Sequence, residues 1–123
     1  MKISIFKLTR SPRLPRLRIR RLIEAAARRE KARFREANVV IAGNRYLRDL
    51  NRIYFHKDRP TNVIAFNLGS VCEIYVAQSF AYDEYDLCFY IMHGFLHTLG
   101  YEHRRTAERV CMDKKCHDYL THV

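Results

Sequence analysis

The sequence predicts an α/β (α+β) fold: a small, mixed, four-stranded sheet packed with helices, with a metal site at the end of the central helix. Three observations lead there. Short apolar or alternating stretches, rich in Val and Ile, are interleaved with longer stretches whose apolar residues recur at helical spacing. Only Asn67-Leu68-Gly69-Ser70 separates two of the strands, so those two should pair as a hairpin. Three histidines, His93, His97 and His103, gather at the end of a long apolar helical stretch.

The first strand spans residues 2–8, where Ile3 and Ile5 alternate with polar neighbours. Pro12 and Pro15 break the chain, and an arginine-rich helix follows from about Leu17 to Arg35. Its apolar stripe is Ile19, Leu22, Ile23, Ala26 and Phe34. A second strand, 37–42, closes at Gly43; Asn44 then N-caps a short helix carrying Tyr46, Leu47, Leu50 and Ile53. The loop from His56 to Pro60 leads into a third strand, Asn62 to Phe66, and the fourth runs from Cys72 to Ala77. From about Asp83 to Leu99 an apolar helix turns Leu87, Cys88, Ile91, Met92, Phe95 and Leu99 to the core. His93 and His97 occupy another of its faces, beneath Phe89 or Tyr90. A last helix, Thr106 to Leu120, packs through Val110, Met112 or Cys111, and Tyr119.

At 123 residues and 48% hydrophobic content, the chain is expected to form one domain, residues 1–123, with its own core. A net charge of +10 implies a polyanionic partner, nucleic acid before membrane. Thirteen of the 23 Lys and Arg fall in positions 1–36, against three acids. No apolar run approaches the ~20 residues of a membrane-spanning helix, and no secretory h-region is expected at the start. Cys72, Cys88, Cys111 and Cys116 show neither a Cys-x-x-Cys pair nor disulfide-scaffold spacing, which fits a reducing, cytoplasmic setting. Cys111 and Cys116, five apart, share a helix face too loosely for a second metal site with His117 and His122.

Histidines four apart project from one face of a helix. Gly100 can take the positive φ that ends a helix, bringing His103 round to the same point. A pair at this spacing is common by chance; a third histidine beyond a helix-ending glycine is not. Three imidazoles with a fourth position open to water make a catalytic rather than a closed structural site, and such a site lowers the pKa of water toward ~7. All-nitrogen ligation favours one Zn2+ per chain, with Ni2+ or Co2+ binding by the same logic. The spacing is that of metzincin proteases, with Gly94 where they place the glutamate base. Ligating histidines usually donate their second nitrogen to a carboxylate or carbonyl; Glu73 and Glu102 are the carboxylates available.

The run His93-Gly94-Phe95-Leu96-His97-Thr98-Leu99-Gly100-Tyr101-Glu102-His103 resembles the signature of the YbeY family, bacterial single-strand-specific metallo-endoribonucleases of rRNA maturation. Upstream, Asp58 to Phe66 is similar to that family's (K/R)PT(D/N)VLSFP run, and Leu68 to Val76 is a weaker match to its LGDIxI strand. The family has a βα unit of its own where the arginine-rich start lies, so that segment is read as fold rather than as a presequence. The resemblance implies a zinc-dependent endoribonuclease acting on the 16S rRNA 3′ end and in ribosome quality control. Its partners would be rRNA and the small ribosomal subunit, and it would work as a cytoplasmic monomer away from membranes.

The same resemblance brings Arg52, Lys57 and Arg59 near the metal as RNA contacts, Arg59 facing phosphate, while no side chain is assigned as a catalytic base. Tyr54, Phe55 and Tyr75 are candidate stacking platforms for unpaired bases. The pattern departs from the family at Phe55, where an arginine tied to function is common, at Ala65-Phe66-Asn67 and at Cys72-Glu73. Two alternatives follow: a non-catalytic, metal-binding ribosome-associated factor, and a zinc peptidase, which Gly94 disfavours.

Overall fold

The computed structural model describes residues 1–10 and 13–123; the expected break at Pro12 lies outside them. The elements are β1 (Lys2–Lys7), α1 (Arg16–Arg29), β2 (Glu36–Ala42), α2 (Asn44–Phe55), β3 (Val63–Asn67), β4 (Val71–Ala77), a 3-10 turn (Gln78–Phe80), α3 (Glu84–Thr98) and α4 (Thr106–His122). The sheet order is β1-β2-β4-β3, with β1, β2 and β4 parallel and β3 antiparallel to β4. The mixed four-stranded sheet and the hairpin at 67–70 are as the sequence predicts.

Strand alternation sends side chains into two unequal layers. Ile3, Ile5, Val39, Ile41, Ile74 and Val76 pack against α1, α3 and α4 in the main core. On the opposite face Ala42, Ile64 and Ala77 meet Leu47 of α2, with Leu50, Phe66 and Tyr75 at the margin. Among the described residues, no helix is long and apolar enough to cross a membrane.

α1 buries Ile19, Leu22, Ile23 and Ala26, an i, i+3, i+4, i+7 stripe. Three of its arginines hold the fold. Arg16 and Arg20 donate to the carbonyls of Ile5 and Ile3, at 2.9 and 2.5 Å, on edge strand β1. Arg18 donates to the Leu120 and Val123 carbonyls, at 2.6 and 2.9 Å, where α4 ends and leaves acceptors open.

Three expected details change. α1 stops at Arg29 rather than about Arg35, because Lys31 turns left-handed (φ 54°). The N–H groups of Lys31 and Ala32 then bond the Arg28 and Ala27 carbonyls at 3.4 and 2.9 Å, a Schellman ending without a glycine. Phe34 therefore leaves the helix stripe and sits in the loop, edge-on to Phe95. Gly43, not Asn44, is the N-cap of α2; Asn44 is helical and its side chain bonds Ser79. Val110 is exposed, since the stripe of α4 is Met112, Cys116, Tyr119 and Leu120, with which position 110 is out of phase.

Candidate metal centre

The site is built on the end of α3. Asp83 starts the helix, its carboxylate accepting from the Asp86 N–H at 2.9 Å. At the other end Gly100 takes φ 100°; its N–H bonds the His97 carbonyl at 3.0 Å, and the Tyr101 N–H bonds the Leu96 carbonyl at 3.2 Å. This turn brings the Tyr101 carbonyl to 2.8 Å from His97 Nδ1. A carbonyl only accepts, so Nδ1 carries the proton and the lone pair of Nε2 is free. His93 Nε2 lies 3.0 Å from it. The His103 ring closes the group, its centroid 5.2 Å from His93 and 4.7 Å from His97. Phe89 stacks on His93 at 6.4 Å.

The ligand atoms of the three histidines all lie within 4.8 Å of one another. Nitrogens at 2.0–2.1 Å from a tetrahedral zinc ion stand roughly 3.3 Å apart, so the cluster fits a divalent transition metal with one position left free. Burial, and then the nearby His97, His103 and Arg109, push the His93 imidazole down to about 4. Burial lowers His97 as well. Both rings are thus neutral, the form that ligates, at neutral pH.

Tyr101 is itself braced. Its hydroxyl donates to Glu30 at 2.5 Å, and Glu30 also accepts from Tyr119 at 2.6 Å and Lys115 at 3.1 Å. Burial alone would raise the Glu30 carboxyl, but Tyr101, Tyr119 and Lys115 together outweigh it and hold the pKa below the usual value. α1 and α4 thereby fix the turn between His97 and His103. Neither Glu73 nor Glu102 takes this part. Glu73 alternates with Ile74 onto the α2 side of the sheet and accepts from the Tyr75 hydroxyl at 2.9 Å. Glu102 lies 4.0 Å from Arg104.

Gly94 faces the sheet. A Cβ there would lie 2.7 Å from Ile74 Cγ2 and 2.9 Å from Val63 Cγ2, so glycine is what lets α3 pack this closely on β3 and β4. A glutamate in its place would have to displace the same two side chains.

The expected RNA contacts lie elsewhere. Lys57 and Arg59 line a cleft of about 470 Å3 with Asn62 and Phe80. Arg52, 3.6 Å from Asp49, lines another cleft with Arg45 and Arg48. Among the described residues, neither cleft is lined by His93, His97 or His103. The loop is nonetheless held in shape: buried Asn51 donates from Nδ2 to the Arg59 carbonyl at 3.0 Å, and Arg48 pairs with Asp58 at 2.8 Å. Phe55 stacks on Phe66 at 6.1 Å, Tyr54 meets the same ring edge-on at 5.3 Å, and Tyr75 stacks with Tyr46 at 6.1 Å. All of these join the α2 side of the sheet. Sequence reasoning singles out neither Glu30 nor Asn51; the only local signal for Asn51 is an amide on the apolar side of an amphipathic helix.

The family described as Endoribonuclease YbeY matches this chain over residues 9–82 and 76–123. The chain belongs to the YbeY family. Endoribonuclease YbeY of Geobacter metallireducens is 32% identical to it, over 88% of this chain and 85% of the relative. Endoribonuclease YbeY of Halalkalibacterium halodurans is 35% identical, over 84% and 82%. The solution structure of TM1509 from Thermotoga maritima shares the fold, with a TM-score of 0.63 at 24% identity over 96% of this chain and 88% of that one. YbeY membership places the chain among the endoribonucleases, hydrolases that cut within RNA. The three-histidine cluster lies inside the matched span and can hold a metal ion.

Proposed function

We propose that the chain is a zinc-dependent endoribonuclease of single-stranded RNA, with His93, His97 and His103 as metal ligands. In this reading it matures the 16S rRNA 3′ end and takes part in ribosome quality control, as a cytoplasmic monomer working on rRNA and the small subunit. The observation that carries it is the convergence of three imidazoles, two of them braced by the fold, in a chain of net charge +10.

A divalent cation held by these nitrogens supplies Lewis-acid polarisation of a phosphoryl oxygen and acidifies water. The chain's own residues do the rest. The Tyr101 carbonyl keeps His97 in the tautomer that ligates, and Phe89 holds the ring of His93. Lys57 and Arg59 draw in the RNA backbone, Arg59 as the phosphate contact on a loop that Asn51 fixes. Arg109, whose charge is felt at His93, helps offset the charge that develops on the phosphate as it is attacked. The exposed rings of Tyr54 and Phe55 offer faces to unpaired bases.

A second reading, a metal-binding ribosome-associated factor without catalysis, draws on Phe55, an aromatic ring packed on Phe66 where the family commonly has an arginine. The peptidase reading lacks its glutamate base, since position 94 is a glycine packed against Ile74 and Val63. Elemental analysis combined with incubation of single-stranded RNA separates the readings. The nuclease reading expects about one zinc per chain and cleavage, both lost in His97→Ala. Metal without cleavage selects the non-catalytic factor, and full metal retention by His97→Ala overturns the ligand assignment.

A further inference from the structure

A cavity of about 800 Å3 opens beside His97, at the end of α3 away from the Lys57 and Arg59 cleft. The loop after α1 (30–34), the hairpin tip with Asn67 and Gly69, and the turn from His97 to Tyr101 line it. Its size is that of a small-ligand site, roughly 300–1,000 Å3. Half-buried Phe34 and Leu99 give it an apolar wall, and Phe34 is braced edge-on by Phe95 at 6.4 Å. Lys31 and Arg33 stand exposed in the same lining, and among the described residues neither forms an ion pair. They differ in this from Arg16, Arg18 and Arg20, which are tied to carbonyls, and from Arg48 and Arg52, which are paired with acids. The one acid in the lining, Glu30, is offset by Tyr101, Tyr119 and Lys115.

The placement gives the cavity a direction. β3 is an edge strand, and α3 runs beside it: Val63 lies against Gly94, and Asn67 Nδ2 donates to the Thr98 carbonyl at 2.9 Å. The Lys57 and Arg59 cleft lies at the start of β3, and this cavity, which His97 lines together with Asn67, lies at its end. A five-residue strand spans about 17 Å, the length of a few extended nucleotides.

We propose that this cavity binds the nucleotides on one side of the scissile phosphate of single-stranded RNA. A base packs against Phe34 and Leu99, and a backbone phosphate meets Lys31 and Arg33. The proposal rests on the endoribonuclease reading and adds the path of the strand: from the Lys57 and Arg59 cleft, past the histidines, into the pocket at 30–34. Packing a base on an aromatic face reads no sequence, and it requires an unstacked base. The subsite thus favours single strands over duplex while tolerating any sequence.

The test is fluorescence anisotropy of the metal-loaded protein with a mixed-sequence 2′-O-methyl phosphorothioate oligonucleotide, which resists cleavage. Lys31→Gly with Arg33→Gln removes two charges from the cavity; Arg21→Gln with Arg28→Gln removes two exposed charges from α1. Glycine suits φ 54° at position 31, and melting curves check that both proteins are folded. The cavity pair is expected to weaken binding by ~10-fold or more, and the α1 pair by less than ~3-fold. Equal weakening by both pairs overturns the proposal, leaving only a diffuse basic field. Photocrosslinking with a 4-thiouridine RNA is expected to label Phe34; labelling confined to Tyr54, Phe55 and Tyr75 also overturns it. If the wild type binds in this pattern but does not cut RNA, the endoribonuclease reading fails while the subsite stands. Cleavage with a silent cavity pair sinks the subsite alone.

Discussion

α3 and α2 lie on opposite faces of one sheet, and the fold treats them very differently. α3 buries eight residues between Leu87 and Thr98, whereas α2 buries only Leu47 and Asn51. Metal ligands must keep their relative positions to within tenths of an ångström, and two of the three, His93 and His97, stand on this densely packed helix, with His103 brought to them by the turn at Gly100. Cations that greet a polyanion need reach rather than precision, and α2 offers them on a thinly packed layer. Substitutions within α3 should therefore disturb the metal, and substitutions within α2 should disturb only RNA handling.

The largest effect expected is that of His97→Ala. Removing one of three ligands should strip the metal and abolish cleavage, read by elemental analysis and by single-turnover RNA cutting. Zinc retained at full occupancy would break the contrast, because the metal would then sit elsewhere.

Gly94→Ala comes next. The added methyl meets Ile74 and Val63 at distances side chains do not tolerate, and both belong to or pack against the main core. The cost expected is ~1–3 kcal/mol, seen as a lower urea midpoint. Because α3 must shift outward from β3, zinc affinity should fall too. A loss of stability with unchanged zinc affinity would show that the ligand turn is held independently of the helix.

How much of this was legible follows from where each interaction reaches. The histidines were readable because their geometry is local: one helical turn, then a glycine that reverses the chain. The strands and hairpin were readable for the same reason. The end of α1 was not, since Lys31 is no helix breaker; its left-handed turn goes with Glu30 bonding Tyr101 and Tyr119, 71 and 89 residues away, and Phe34 packing on Phe95. Nor could the sequence sort the arginines. Arg20 and Arg33 are the same residue type, and only the open carbonyls of edge strand β1 make the first structural while the second faces a cavity.

Glu30 offers a milder perturbation of the α3 side. Its folded pKa lies below the ordinary value of 4.5, so its contribution to stability is fully present above that value and is lost as pH falls through the folded one. Glu30→Gln keeps the shape and removes the charge. The variant should melt lower than wild type at neutral pH, with the gap in Tm closing below about pH 4.5. Zinc affinity should drop modestly, because Tyr101 loses a charged acceptor and its carbonyl orients His97. A Tm gap that persists unchanged at pH 3 would mean the carboxylate charge is not what braces the turn.

Phe55→Arg probes the α2 side, where the smallest effect on metal and fold is expected. Phe55 is 46% exposed at the last turn of α2, so a guanidinium can extend into solvent there; the loss is one ring stack on Phe66, worth ~0.5–1.5 kcal/mol. Metal content should stay as in the wild type. Cleavage is where the substitution should register, because an exposed guanidinium at the end of α2 adds a cation for the RNA backbone. A severalfold rise in the single-turnover rate is expected, with tighter RNA binding at low salt. If the rate does not move, Arg59 already holds the phosphate alone, and Arg59→Ala in the wild-type background must then abolish cutting while leaving the metal in place. Should Phe55→Arg displace the zinc instead, the two faces of the sheet are coupled, and the separation of a rigid metal side from a tolerant RNA side fails.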